Sequence, residues 1–215
     1  MKVFRWPLAG LFLAVSVITH AAAPADVFGK GGANPAAPAC ATCHGPEGQG
    51  MATGGFPRLA GLSAEYLRKQ LDDFASGKRA NPIMQPIAAA LTAEEIDAVT
   101  TWLGSQPKPQ AERVSRAALA DGPGEVLALR GAWDRNIPEC VTCHGPSGAG
   151  VGHSFPALLG QSAQYLSAQL DAWQQGTRQN DPNDLMGHIA RSLTAEEIKA
   201  VSAYFVNLTG TGAAQ

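Results

Sequence analysis

An excess of charge of either sign is what this 215-residue sequence lacks: 16 basic side chains stand against 18 acidic ones. No stretch gathers the lysines and arginines into the patch that nucleic-acid binding requires, so nucleic acid is excluded as a partner. Long apolar runs are missing too. Residues 8–18 form an eleven-residue run, well short of the roughly 20 residues that span a bilayer, and stable membrane insertion is not expected. No segment alternates apolar and polar side chains as a half-buried strand does. That predicts an all-α chain. Cysteine and methionine are scarce, with four of each, so their positions carry weight.

The apolar run follows Lys2 and Arg5 and precedes Ala21-Ala22-Ala23-Pro24-Ala25. A charged start, a short apolar core and a small-residue cleavage site make a secretory signal peptide. Cleavage after Ala23 would leave Pro24 first in the mature chain, whereas cleavage after Ala25 avoids this. Residues 1–25 are therefore assigned to the signal, and the mature protein to the periplasm. Without Lys2 and Arg5 the formal charge becomes −4, which bears on solubility and encounter rates rather than on fold.

All four cysteines fall in two copies of one pentapeptide, Cys40-Ala41-Thr42-Cys43-His44 and Cys140-Val141-Thr142-Cys143-His144. C-x-x-C-H is the attachment signal for a c-type haem. On a helix, residues three and four apart share a face, so two thiols and an imidazole can all meet one ligand. The thiols would add to the two vinyl groups, and the histidine would ligate the iron. A redox-active C-x-x-C loop and a Cys/His zinc site are the rival readings. The doubling of the motif favours two covalently attached haem c groups, held by Cys40, Cys43, Cys140 and Cys143, with His44 and His144 on the irons.

The duplication extends beyond the motif. Phe56-Pro57-Arg58-Leu59-Ala60-Gly61 returns as Phe155-Pro156-Ala157-Leu158-Leu159-Gly160, and Leu91-Thr92-Ala93-Glu94-Glu95-Ile96 as Leu193-Thr194-Ala195-Glu196-Glu197-Ile198. A period near 100 residues means tandem domains rather than a solenoid. Ser63 and Ser162 are good N-caps. From them Leu67, Leu71 and Phe74, and again Leu166, Leu170 and Trp173, form one apolar stripe. Gly77 and Gly176 stand where these helices should stop. Thr92 with Glu95, and Thr194 with Glu197, are capping boxes opening helices with the stripes Ile96, Val99, Leu103 and Ile198, Val201, Phe205. A short helix with Val126, Leu127 and Leu129 is expected before the second motif, and a weaker one before the first. Gln106-Pro107-Lys108-Pro109 starts a stiff linker. The domains expected are 26–106 and 121–215, joined by 107–120.

Each iron needs a sixth ligand or an open position, and methionine and histidine are the leading candidates. Met84 lies 40 residues after His44, and Met186 lies 42 after His144. Both are expected in corresponding loops between the two later helices of their domain, and their recurrence argues against a role as core filler. Met51 has no counterpart and lies close to His44. His188 competes with Met186, while His153 reads as an exposed loop residue. Pro57 and Pro156 supply either a carbonyl that orients the haem histidine or only a rigid turn. Arg79 and Arg178 are either partners of haem propionates or ordinary solvated surface.

These residues resemble the dihaem class I cytochromes c of the cytochrome c4 type, over essentially the whole mature chain. The resemblance rests on the two C-x-x-C-H-G-P motifs, the two Phe-Pro-x-Leu segments, the Tyr-Leu helices, Met84 and Met186. It implies two haem domains packed about a pseudo-twofold axis, with a proline carbonyl bound to each proximal histidine. It also implies a shuttle between a membrane quinol-oxidising complex or dehydrogenase and a terminal oxidase or reductase. The departure is Asn180-Asp181-Pro182-Asn183-Asp184, which lengthens the loop before Met186. Two alternatives remain: a cytochrome subunit permanently bound to a dehydrogenase, and a haem enzyme of the peroxidase or thiosulfate-oxidising kind. An enzyme needs acid–base groups near an open iron, and no separate catalytic constellation is visible, so a carrier is expected.

Overall fold

Helices in this protein start and stop where its capping residues stand. A computed structural model describes residues 24–110 and 122–208. The assigned signal peptide through residue 23 and linker residues 111–120 lie outside the described residues. The first unit comprises α1 (Pro24–Lys30), α2 (Ala41–His44), α3 (Ala64–Ala75), α4 (Met84–Ala90) and α5 (Ala93–Ser105). The second repeats the order with α6 (Pro123–Arg130), α7 (Cys140–His144), α8 (Ala163–Gln174), α9 (Leu185–Arg191) and α10 (Ala195–Asn207). The Ser63 and Ser162 hydroxyls accept the amides of Tyr66 and Tyr165 at 3.2 and 3.1 Å. Such caps contribute about 1 kcal/mol each. Both capping boxes close, with Thr92 N–H to Glu95 at 2.9 Å and Thr194 N–H to Glu197 at 2.8 Å. Gly77 and Gly176 take the left-handed backbone (φ 80° and 69°) that ends α3 and α8.

The predicted stripes form two cores. Leu67, Val99 and Leu103 cluster with Val27, Phe28 and Leu62; Leu166, Ile198, Val201 and Phe205 cluster with Leu127, Ala128, Leu129 and Ile137. Helix α1 has seven residues against eight in α6, yet it is firmly anchored. Val27 and Phe28 are each only 1% exposed, and the Phe28 ring lies 4.6 Å from that of Trp102 on α5. That aromatic contact compensates for the poor helix composition of its surroundings. Helix α6 sits so close to α10 that a Cβ on Gly124 would lie 2.2 Å from the Ala200 carbonyl. Among the described residues there is no sheet, only isolated bridges.

One of those bridges, Arg79 with Arg178, joins the two units. Ala80 N–H donates to the Thr177 carbonyl at 2.9 Å, and Gln179 N–H to the Lys78 carbonyl at 3.1 Å. The side chains cross reciprocally. Arg79 donates to Tyr165 (2.8 Å), Gln169 (2.5 Å) and Gln70 (3.0 Å); Arg178 donates to Gln169 (2.9 Å), Gln70 (3.3 Å) and Tyr66 (3.4 Å). Both arginines are 6% exposed, which removes solvated surface from the two readings of them. Each guanidinium group finds hydrogen-bond partners on both units.

Candidate functional site

Each C-x-x-C-H pentapeptide forms one short helical turn, α2 or α7, and the loop after it folds back over the histidine. Gly50 N–H donates to the His44 carbonyl at 2.8 Å, and Gly150 N–H to that of His144 at 2.7 Å. The Gly48 carbonyl accepts both Leu59 and Ala60 amides, and the Gly148 carbonyl those of Leu158 and Leu159. These clips draw the Phe-Pro segments across the motifs. Gly50 (φ 85°) permits the close approach, since a Cβ there would lie 2.6 Å from the Arg58 amide nitrogen.

The clips bring a carbonyl to each imidazole. His44 Nδ1 lies 3.0 Å from the Pro57 oxygen, and His144 Nδ1 lies 2.7 Å from that of Pro156. A carbonyl can only accept, so Nδ1 carries the proton and Nε2 keeps its lone pair for a metal. Of the two readings of these prolines, the structure selects the carbonyl acceptor. Both histidines are buried. Burial holds each below its ordinary pKa, and the proline carbonyl only partly opposes this. Burial thus favours the neutral ring, the form in which an imidazole can ligate a metal. Phe56 and Phe155 stand edge-on to them, with ring centroids 6.3 Å apart in both units.

The four cysteines are unpaired and half-buried. Burial raises the Cys40 thiol and pushes that of Cys140 up to about 12. Net addition of S–H across a vinyl group would use the thiol form. No three His, Cys, Asp or Glu side chains among the described residues converge to hold a metal ion. The donor set fits two thioethers at a porphyrin edge and one imidazole at its centre.

The expected methionine loops are instead seven-residue helices: Met84 opens α4 and Met186 is the second residue of α9. Both are half-buried, and a side chain in the preceding loop pins each backbone amide. Asn81 Oδ1 accepts from Met84 N–H at 2.8 Å, and Asp181 accepts from Met186 N–H at 2.7 Å. Met51 is 38% exposed, and His153 and His188 are exposed. Residues two apart on a helix point roughly 200° apart, so Met186 and His188 cannot serve the same face of α9.

The Arg79–Arg178 cluster was not legible as an interface. Around it Tyr66, Gln70, Tyr165 and Gln169 repeat as α3 and α8 residues, a signal visible only as part of the duplication. Burial, and then the like charge of Arg79, lower the Arg178 pKa. At Arg79 burial acts the same way but is outweighed by the Tyr165 and Tyr66 oxygens and Asp73, so its pKa lies above the ordinary value. The two guanidinium groups stack on Phe74 (4.5 Å) and Trp173 (3.9 Å).

A family model for cytochrome c matches residues 29–107 and 135–209. The chain is 62% identical over 209 residues to a protein of Stutzerimonas stutzeri (strain A1501) called thiosulfate dehydrogenase electron acceptor, covering 97% of each. It superposes on reduced recombinant cytochrome c4 from Pseudomonas stutzeri with a TM-score of 0.69 at 33% identity, covering 79% of this chain and 93% of that one. It also superposes on a thiosulfate dehydrogenase from Marichromatium purpuratum with a TM-score of 0.74 at 41% identity. There the match covers 85% of this chain but 39% of the other, longer one.

Proposed function

The chain belongs to the cytochrome c family, alongside the dihaem cytochromes c4, and we propose that it is an exported carrier taking electrons from a thiosulfate-oxidising dehydrogenase. It is a cytochrome c4-like electron carrier built of two tandem all-α cytochrome c domains with two covalent haem c groups. The observation carrying the choice of donor is the 62% identity, over nearly the whole length, to a thiosulfate dehydrogenase electron acceptor. A periplasmic location follows from the leader-like first 25 residues; no described helix is long and apolar enough to cross a membrane. A terminal oxidase or reductase would receive the electrons.

Cys40 and Cys43, and Cys140 and Cys143, would hold the two haems, with His44 and His144 as proximal ligands and Met84 and Met186 as distal ones. When bound, each haem supplies a one-electron iron couple whose potential methionine ligation raises. The protein's own work is positional. Pro57 and Pro156 fix each imidazole in the tautomer that presents Nε2. Asn81 and Asp181 fix the start of each methionine helix. Arg79 and Arg178 lock the domains and present buried positive charge whose closest protein partners are mostly neutral. Buried charge requires compensation, and haem propionates would supply it.

Holo-protein mixed with a thiosulfate dehydrogenase and thiosulfate should show rapid growth of the reduced-haem absorbance bands, and none with thiosulfate alone. Reduction by thiosulfate alone would move the chain to the enzymes. Failure to accept electrons from the dehydrogenase would return the donor to a quinol-oxidising complex. The longer Marichromatium chain favours a second reading, a cytochrome permanently joined to its dehydrogenase. Co-purification of the two through gel filtration would select that reading over a free shuttle.

A further inference from the structure

The loop leading into each C-x-x-C-H motif has one backbone design and two sets of side chains. Gly31 and Gly131 turn it with positive φ (96° and 69°). A Cβ on Gly31 would lie 2.5 Å from the Ala37 carbonyl, and one on Gly131 2.3 Å from that of Ile137. Gly32 N–H donates to the Ala37 carbonyl at 2.9 Å, and Ala132 N–H to that of Ile137 at 2.7 Å. Both loops are tied to the capping-box glutamate of their domain's last helix. In the first domain Ala33 N–H donates to Glu95 at 2.6 Å. In the second the Arg135 guanidinium does so, reaching Glu197 at 3.0 and 2.5 Å and the Ser192 carbonyl at 3.1 Å. The position of Ala33 is taken by Trp133.

Trp133 is 63% exposed, more than any other large apolar side chain among the described residues. A single apolar residue on a surface is ordinary, but this one stands on a rigid base. Ile137, at the far end of the loop, is 1% exposed and belongs to the second core, with Ala132 and Cys140 packed against that core. The indole is held out in water by a backbone fixed at both ends, so burying it against a partner would cost little ordering. Tryptophan is enriched among the few residues that dominate binding energy. The charge beside it is acidic: Asp134 is exposed and Glu139 half-buried, while Arg135 is matched by Glu197.

We infer that Trp133 is the anchor by which the second domain docks on its dehydrogenase, seating the indole in an apolar slot rimmed by basic side chains. The inference rests on the reading of this protein as acceptor for a thiosulfate-oxidising dehydrogenase. The Marichromatium chain argues for that occupant. It is a thiosulfate dehydrogenase that carries a unit like this one as 39% of its own length, and a tether of that kind supplies a high effective concentration. A separate carrier lacks the tether and must draw its affinity from its surface. Trp133 lies seven positions before Cys140, on a loop packed against the same core. A partner seated on the indole therefore lies beside the haem-attachment segment of the second domain.

Binding of the oxidised holo-protein to an immobilised thiosulfate dehydrogenase, with thiosulfate-driven haem reduction measured alongside, tests this. Trp133→Ala should raise both Kd and the KM for the carrier about ten- to thirtyfold, chiefly through faster dissociation. Its reduction by ascorbate should stay unchanged. Trp133→Phe should recover most of the affinity, and Asp134→Asn should slow association. If Trp133→Ala binds and is reduced as the unaltered protein is, the inference is overturned and the donor stands. If the unaltered protein neither binds the dehydrogenase nor takes electrons from it, the donor falls and the inference with it. A dimer of the unaltered protein in sedimentation velocity, dissociated by Trp133→Ala, overturns the inference by giving the indole to a second copy. Association unmoved in Asp134→Asn overturns the basic rim assigned to the partner.

Discussion

Gln161 of the second domain grips the main chain of Arg58 in the first: its Oε1 accepts Arg58 N–H at 3.0 Å, and its Nε2 donates to the Arg58 carbonyl at 2.6 Å. The amide side chain satisfies both backbone groups as a neighbouring strand would. Arg58 itself donates to the Pro107 carbonyl at 2.8 Å, tying the start of the linker to the same place. Gln161→Ala would leave both backbone groups of Arg58 unpaired in a partly buried site. The expected cost is about 1–3 kcal/mol, read from denaturant unfolding of the holo-protein. A cost near zero would mean that water replaces the amide.

Haem stoichiometry separates the motifs. Cys40→Ala with Cys43→Ala should leave one covalent haem per chain, and adding Cys140→Ala with Cys143→Ala should leave none. Mass spectrometry of the intact chain decides this directly. An apoprotein mass carrying two disulfides in the unaltered protein would end the haem assignment.

The proposed distal ligands are tested one at a time. Met84→Ala and Met186→Ala should each open one iron to carbon monoxide and lower its potential. Met51→Ala and His188→Ala should change neither, because both side chains are exposed. Carbon monoxide binding by the Met51 variant would reassign the first site.

The duplication predicts two self-sufficient halves. Residues 26–108 and 118–215, expressed separately, should each hold one haem, because each of the two cores draws almost all its buried residues from one unit. Both halves should be less stable than the whole, since the Arg79–Arg178 cluster becomes exposed. Halves that fail to keep haem would show that the interface belongs to the core.

Acid should weaken one contact of the second domain. Arg135 donates to Glu197 through both nitrogens, at 3.0 and 2.5 Å. That pairing, opposed by some burial and helped by Thr194, holds the Glu197 carboxyl below its ordinary value of 4.5. A depressed carboxylate stabilises the fold above the unfolded pKa and loses that effect as pH falls through the folded one. The stability gap between the unaltered protein and Glu197→Gln should therefore be full at neutral pH. It should shrink below about pH 4.5. A gap constant through that range would assign the stabilisation to something other than the ion pair.

The sequence by itself determined what depends on short spacing. Thr92 with Glu95, Ser63 with Tyr66, the stripe Leu67-Leu71-Phe74 and the pentapeptide Cys40–His44 are all relations within about one to three helical turns, which backbone geometry imposes wherever a helix forms. Repetition extended that reach, because a feature written twice reveals its unit. Only the tertiary structure decided which groups meet across loops and between domains. Pro57 as acceptor for His44 requires a loop to fold back over thirteen positions. For Arg79 and Arg178 the sequence left propionate partners and solvated surface both open; reciprocal burial against Tyr165, Gln169, Tyr66 and Gln70 made them the interface. Asp181 looked like part of an irregular insertion, and became the acceptor for Trp173 and Met186 through the added turn at Pro182–Asp184. A residue's type states what it can donate or accept; which partner it finds is set by desolvation and packing over the whole chain.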